Sequence, residues 1–149
     1  PAGKTVDPNN ACGLKVAVQA TTYQDTDEVP AKSKACVDAG KPAIQAVKFD
    51  TQDQATNSVA LGQADAMSAD SPVTLYAIAQ LKGKLQPAGT SFEVAPYGLA
   101  VAKGDPLAKA LQKALQSMVD DGSYKKLLDK WGVASGGIDK ITINAGANG

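Results

Sequence analysis

In "LKVAVQ", residues 14–19, apolar positions alternate with polar ones, which predicts a strand. The next run, "ATTYQDTDEVPAKSKACVDAG", predicts a helix for which Thr21, Thr22 and Asp25 are candidate N-caps and Gly40 a C-terminal stop. A second strand is predicted over "AIQAVKF", residues 43–49. It is followed by "DTQDQATNSVALG", residues 50–62, a helix capped by Asp50 or Thr51 and closed by Gly62. "ADAMSA", residues 64–69, is a short third strand. "SPVTLYAIAQL", residues 71–81, is a helix with Ser71 as N-cap and Pro72 at its first position, where a missing N–H costs nothing. Strand and helix alternate three times, the rhythm of a parallel α/β unit, and this unit fills residues 12–90.

Residues 1–11 are rich in Pro, Asn and Gly and read as a linker or crossover. The portion 91–149 has a different pattern. "YGLAVAKGD", residues 97–105, predicts a strand ending in a turn. After it, Asp105 caps and Pro106 opens a helix that places Leu107, Leu111, Ala114, Leu115 and Met118 on one face. "SYKKLLDKWG" predicts another helix, capped by Ser123, with Tyr124, Leu127, Leu128 and Trp131 spaced for packing. The tail "SGGIDKITINAGANG" has one short apolar alternation and is otherwise loop.

The 149 residues are 44% hydrophobic and 20% charged, a globular composition, with net charge zero and no basic tail. Nucleic acid and anionic membrane are therefore poor partners, and no stretch approaches the ~18 apolar residues of a membrane span. The chain has no histidine, which removes His-based acid–base catalysis and His metal sites. All fifteen basic residues are lysine, so no arginine can clamp a carboxylate with two parallel bonds. Cys12 and Cys36 are too few for a zinc site. They are either two buried thiols or a disulfide closing a loop of about 25 residues, and the disulfide favours an exported protein. The opening "PAGKTVDPNN" has neither an initiator Met nor a signal peptide and reads as a processed product or a fragment.

In an open parallel sheet, ligands bind beyond the carboxyl ends of the strands, beside helix N-termini. Three such corners are predicted. "QATTYQ" sets two hydroxyls at a helix start, where free N–H groups and the helix dipole favour a carboxylate or phosphate; capping alone also explains those residues. "ADSP" leaves Asp70 at the crevice if Ser71 caps the helix, and a carboxylate there suits an ammonium group; a capping role for Asp70 is the alternative. At "FDTQDQ", Asp50, Thr51 and Asp53 are explained by capping. Asp65 is expected to cap or brace the preceding helix end rather than meet a ligand. An anion corner and a cation corner one strand apart suit a zwitterion.

"LKVAVQATTYQ", "GQADAMSADSPV", "APYGLAVAKGDPLAKALQKAL" and "DGSYKKLLDKWG" occur in that order, and together they resemble the amino-acid-binding members of the family 3 solute-binding proteins of ABC importers. The resemblance runs from Cys12 to Trp131; "ITINAG" and the Cys12/Cys36 pair are similar to the actinobacterial branch, whose members are surface lipoproteins. It implies an α/β fold of the type II periplasmic-binding-protein kind, in which two lobes joined by a hinge close over one free amino acid. Residues 12–90 are then one complete Rossmann-like lobe. Residues 91–149 are the returning hinge strand and the C-terminal helices of the other. In the family pattern the threonine matching Thr22, with amides around it from Thr21 to Gln24, meets the ligand α-carboxylate, and the acid matching Asp70 meets the α-ammonium. The pattern has glycine where Thr21 stands, and a β-carbon there restricts backbone approach. The family's arginine clamp lies in a segment of the first lobe that has no counterpart here.

The resemblance implies no cofactor, importer membrane subunits as partners, and an exported location, periplasmic or as a cell-surface lipoprotein. The chain alone is expected to bind amino acids weakly. Apolar faces including Leu107, Leu111, Leu127 and Trp131 are expected to be exposed and to invite self-association or a swapped dimer. There are three rival readings. A cyclohexadienyl-dehydratase-like enzyme needs Asp70 to work with Asp50 or Asp53, and turnover of prephenate or arogenate would reveal it. A ligand-sensing module of a receptor carries the same clamshell. A plain interaction domain is indifferent to changes at Thr22 and Asp70.

Overall fold

Val16, Ala17 and Val18 are buried in succession, so the first strand is covered on both faces rather than one. The computed structural model describes residues 1–145; the end of the 91–149 segment, with the Gly146 that closes "ITINAG", lies outside the described residues. Strand β1 (Lys15–Gln19) is central in a three-stranded parallel sheet, flanked by β2 (Gln45–Phe49) and β3 (Ala66–Met67), in the order β2-β1-β3. Lys15 stands opposite Gln45, and Val16 and Ala17 stand opposite Ala66 and Met67.

Side-chain alternation along β1 divides the core in two. Val16 and Val18 pack with Val29, Cys36 and Ile44 beneath helix α1 (Val29–Asp38). Ala17 packs on the other face with Ala55 and Val59 of α2 (Gln52–Ala60), Ala77 of α3 (Ser71–Gln80), and Ala64 and Leu85. Cys12 and Cys36 form a disulfide across 24 positions, with Cα atoms 5.6 Å apart, and tie the entrance of β1 to the last turn of α1. On the chain-entropy model a loop of this size contributes about 3 kcal/mol.

The chain divides at Thr90/Ser91 into two compact units. Within the first, residues 1–11 form no regular element but are held down. Val6 and Ala11 are buried, Ala2 N–H donates to the Lys84 carbonyl at 2.8 Å, and Lys4 pairs with Asp65. The second unit contains α4 (Leu107–Asp120) and α5 (Ser123–Trp131), neither with a fully buried residue. The tail returns to α4 through Gln116, whose side-chain oxygen accepts from Ile141 N–H at 2.9 Å, and Gln112, which donates to the Ile141 carbonyl at 2.9 Å.

Several local expectations are corrected. The strand predicted over residues 97–105 does not form, because no strand among the described residues runs beside it to complete a ladder. Ser71 and Pro72 lie inside α3, and Asp70 is the N-cap residue by backbone position. Ser123 does not cap α5; the Asp121 carboxylate accepts the Ser123 N–H at 2.8 Å instead. Asp105 does serve the start of α4, accepting the Leu107 N–H at 2.9 Å.

Candidate functional site

The corner beyond β1 opens with Thr21 at φ +64°, a left-handed conformation normally left to glycine. The chain then winds into a π-helical turn, Gln24–Glu28, that runs directly into α1. Pro30 explains the wide turn. It has no N–H to give to the Thr26 carbonyl, and its ring would collide with that carbonyl in a regular helix. The bonding steps back instead, and Val29 N–H reaches the Gln24 carbonyl.

Neither threonine caps this helix through its side chain. Thr22 Oγ1 donates backward to the Gln19 carbonyl at 2.8 Å, while the Thr22 carbonyl accepts from Asp25 N–H and Thr26 N–H, both at 3.0 Å. The Thr22 hydroxyl oxygen is thus fixed at the carboxyl end of β1 with lone pairs left to accept. Thr21 N–H donates to Asp25 Oδ2 at 3.0 Å. Asp25, buried, takes Lys48 Nζ on its other oxygen at 2.7 Å. Lys48 first, and the Thr21 amide second, hold the Asp25 carboxyl below its ordinary value of 3.8 against the opposing effect of burial. Asp25 therefore acts as an internal anion on the turn rather than as a cap.

Across the sheet edge, Asp70 has extended backbone angles (φ −55°, ψ 146°), and its side chain makes no capping bond. Its Oδ1 accepts from Gln24 Nε2 at 2.8 Å. One turn further along, buried Glu28 accepts the Ser68 hydroxyl at 2.7 Å on Oε2 and pairs with Lys32 at 3.2 Å on Oε1. The structure thus joins Gln24 to Asp70 and keeps Thr22 on the same helical start. Thr21 contributes its backbone geometry, its amide being engaged by Asp25.

The remaining acids sort differently. Asp65 does not brace a helix end: its Oδ2 accepts the Lys15 N–H at 2.8 Å, its Oδ1 pairs with Lys4, and it ties β3 to the start of β1. Lys4, then the Lys15 amide, lower its pKa from the ordinary 3.8. Thr51 caps α2 in a reciprocal box: its Oγ1 accepts Gln54 N–H at 3.3 Å, and Gln54 Oε1 accepts Thr51 N–H at 3.2 Å. An open groove of about 450 Å³ runs from Lys48 and Asp50 to Leu61 and Gln63, and none of Thr21, Thr22, Gln24 or Asp70 lines it. Sequence reasoning missed Glu28 and Ser68. Their contact joins residues forty positions apart, and neither carries a local signal beyond the Glu28/Lys32 spacing. Among the described residues no cluster of His, Cys, Asp and Glu is placed to hold a metal, and no helix is long and apolar enough to cross a membrane.

A parallel α/β lobe with polar groups gathered at the carboxyl ends of its strands is a lobe of the periplasmic-binding-protein kind. The chain is 39% identical over 139 residues to the arginine-binding protein ArgT of Corynebacterium glutamicum, a match covering 93% of this chain and 46% of that protein. It is 34% identical over 91 residues to the ABC transporter glutamine-binding protein GlnH of Bacillus subtilis, covering 60% of this chain and 33% of that one. Among solved structures it is similar to an ancestral arginine-binding protein bound to arginine, with TM-score 0.61, 30% identity, and 86% of this chain against 55% of that one covered. The same ancestral type bound to glutamine matches at TM-score 0.61 and 29% identity, covering 87% of this chain and 55% of that one. No protein-family model matches the chain. These similarities bear out the resemblance read from the sequence: the chain is related to the family 3 solute-binding proteins and spans less than half the length of each of these two curated relatives.

Proposed function

We propose that the chain is part of the substrate-binding component of an amino-acid ABC importer, holding a free amino acid between two lobes. The hydroxyl of Thr22 and the amides at the helix start take the ligand α-carboxylate. Asp70 takes the α-ammonium, with Gln24 between them. The observation that carries this reading is the 2.8 Å bond from Gln24 to Asp70, which sets a carboxylate beside the helix N-terminus at the carboxyl edge of the sheet. The names of the relatives direct attention to arginine and glutamine as first ligands to try.

In the same reading residues 12–90 are one lobe, 1–11 a crossover, and 91–149 the returning hinge segment, which forms no strand among the described residues, and the C-terminal helices of the other. The protein works as a binder rather than an enzyme, with importer membrane subunits as partners. The disulfide favours an oxidising, exported location, periplasmic or lipid-anchored at the cell surface.

The test is an amide NMR titration of the chain with arginine, glutamine and other amino acids, alongside decarboxylated and deaminated analogues. Binding is expected in the millimolar range, about 4 kcal/mol. Amides near Thr22 and Asp70 should shift together only for ligands carrying both charged ends; the deaminated analogue should bind more weakly and move the amides near Thr22 alone. Shifts that are equal for the analogues, or confined to other residues, would refute the assignment.

A further inference from the structure

We propose that Glu28 is a positioning residue that fixes Asp70 for its ligand by holding Ser68, an inference that rests on the amino-acid-binding reading above. Strand β3 has only two ladder residues, Ala66–Met67, and its pairing to β1 finishes at Ser68, whose N–H donates to the Ala17 carbonyl at 3.0 Å. From there the chain crosses Ala69 to reach Asp70 and the start of α3. Two side-chain bonds from one helical turn span this crossing. Glu28 accepts the Ser68 hydroxyl at 2.7 Å, and Gln24 donates to Asp70 at 2.8 Å. Gln24 and Glu28 are four positions apart and so lie on the same side of the turn.

The burial of Glu28 gives this arrangement its weight. Only 6% of its surface is exposed, and a carboxylate taken from water is costly unless its oxygens are well bonded. Both are bonded: one by Ser68, the other by Lys32 at 3.2 Å. A hydroxyl donating to a carboxylate is a short, strong bond, suited to fixing a backbone that has just left its ladder. Glu28 acts through Ser68 and the backbone that runs from it to Asp70.

The side-chain amide resonance of Gln24 in the full chain reads this geometry without any ligand, and Asp70→Asn identifies it by the shift it loses. Ser68→Ala and Glu28→Ala are expected to move that resonance toward its free position. Glu28→Gln, which still offers an oxygen to Ser68, should keep most of it. In titrations, Ser68→Ala should weaken amino-acid binding about fivefold while leaving the deaminated analogue unchanged. An unmoved Gln24 resonance in Ser68→Ala overturns the proposal. So does equal weakening of both ligands accompanied by a lower urea midpoint, which marks a loosened fold. If the unaltered chain binds no amino acid while Gln24 still follows Ser68, the positioning of Asp70 stands and only the ligand reading fails.

Discussion

Thr21 stands where the family pattern has glycine, and it adopts the left-handed angle, φ +64°, that glycine would take freely. A β-branched residue there stores on the order of 1–3 kcal/mol of strain, and the bond from its N–H to buried Asp25 helps to hold it. Thr21→Gly is therefore expected to raise stability by about 1 kcal/mol, the relieved strain being partly offset by the looser unfolded chain. A urea midpoint at neutral pH measures it, and a fall would mean that the turn is not strained. A second expectation concerns acid. Asp25 and Asp65 have folded-state pKa values below the ordinary 3.8, so the stability they contribute is present above that value and disappears as pH falls through the folded values. Thermal melting should accordingly be level with respect to these groups near neutrality and fall below about pH 4, with a shallower fall in Asp25→Asn.

Caps show which parts of an element are written locally. The Thr51/Gln54 box needs two residues three positions apart, and it forms as the sequence predicts. Ser71 carries an equally good capping residue type, yet β3 delivers the chain so that Asp70 takes the N-cap position and Ser71 falls inside the helix. Thr51→Ala should cost about 1 kcal/mol. Ser71→Ala should stay within about 0.5 kcal/mol. Chemical denaturation of the two variants side by side tests this, and equal losses would contradict the capping assignment. The turn Gln24–Glu28 was legible only as helix; its π geometry follows from where Pro30 falls relative to Thr26. The segment 97–105 has the composition of a strand and fails to become one, since a strand is completed by a neighbour and none is present among the described residues.

At the scale of the whole molecule, the second unit carries amphipathic helices with part of their apolar faces in water. Leu107, Leu127 and Trp131 are each close to half exposed, as the sequence led us to expect, whereas Leu111 is half-buried. Exposure of this kind favours association. Sedimentation at rising concentration should show self-association that weakens in a Leu127→Lys, Trp131→Lys double variant. A monomer at every concentration would show that these faces are not sticky.

The sequence by itself determined the alternation of strands and helices in residues 12–90, the α2 box, the glycine stops at Gly40 and Gly62, and kinship with amino-acid-binding proteins. All of these depend on residues near one another in the chain, or on a motif order that survives as text. Two readings left open were the state of the cysteines and the use of Asp70. Folding closed the first as a disulfide and gave the second a Gln24 partner 46 positions away. Tertiary structure alone decided that Asp65 serves β1, that Asp25 pairs with Lys48, and that Glu28 holds Ser68. A carboxylate accepts whichever donor the fold brings within about 3 Å, and no local pattern names that donor in advance.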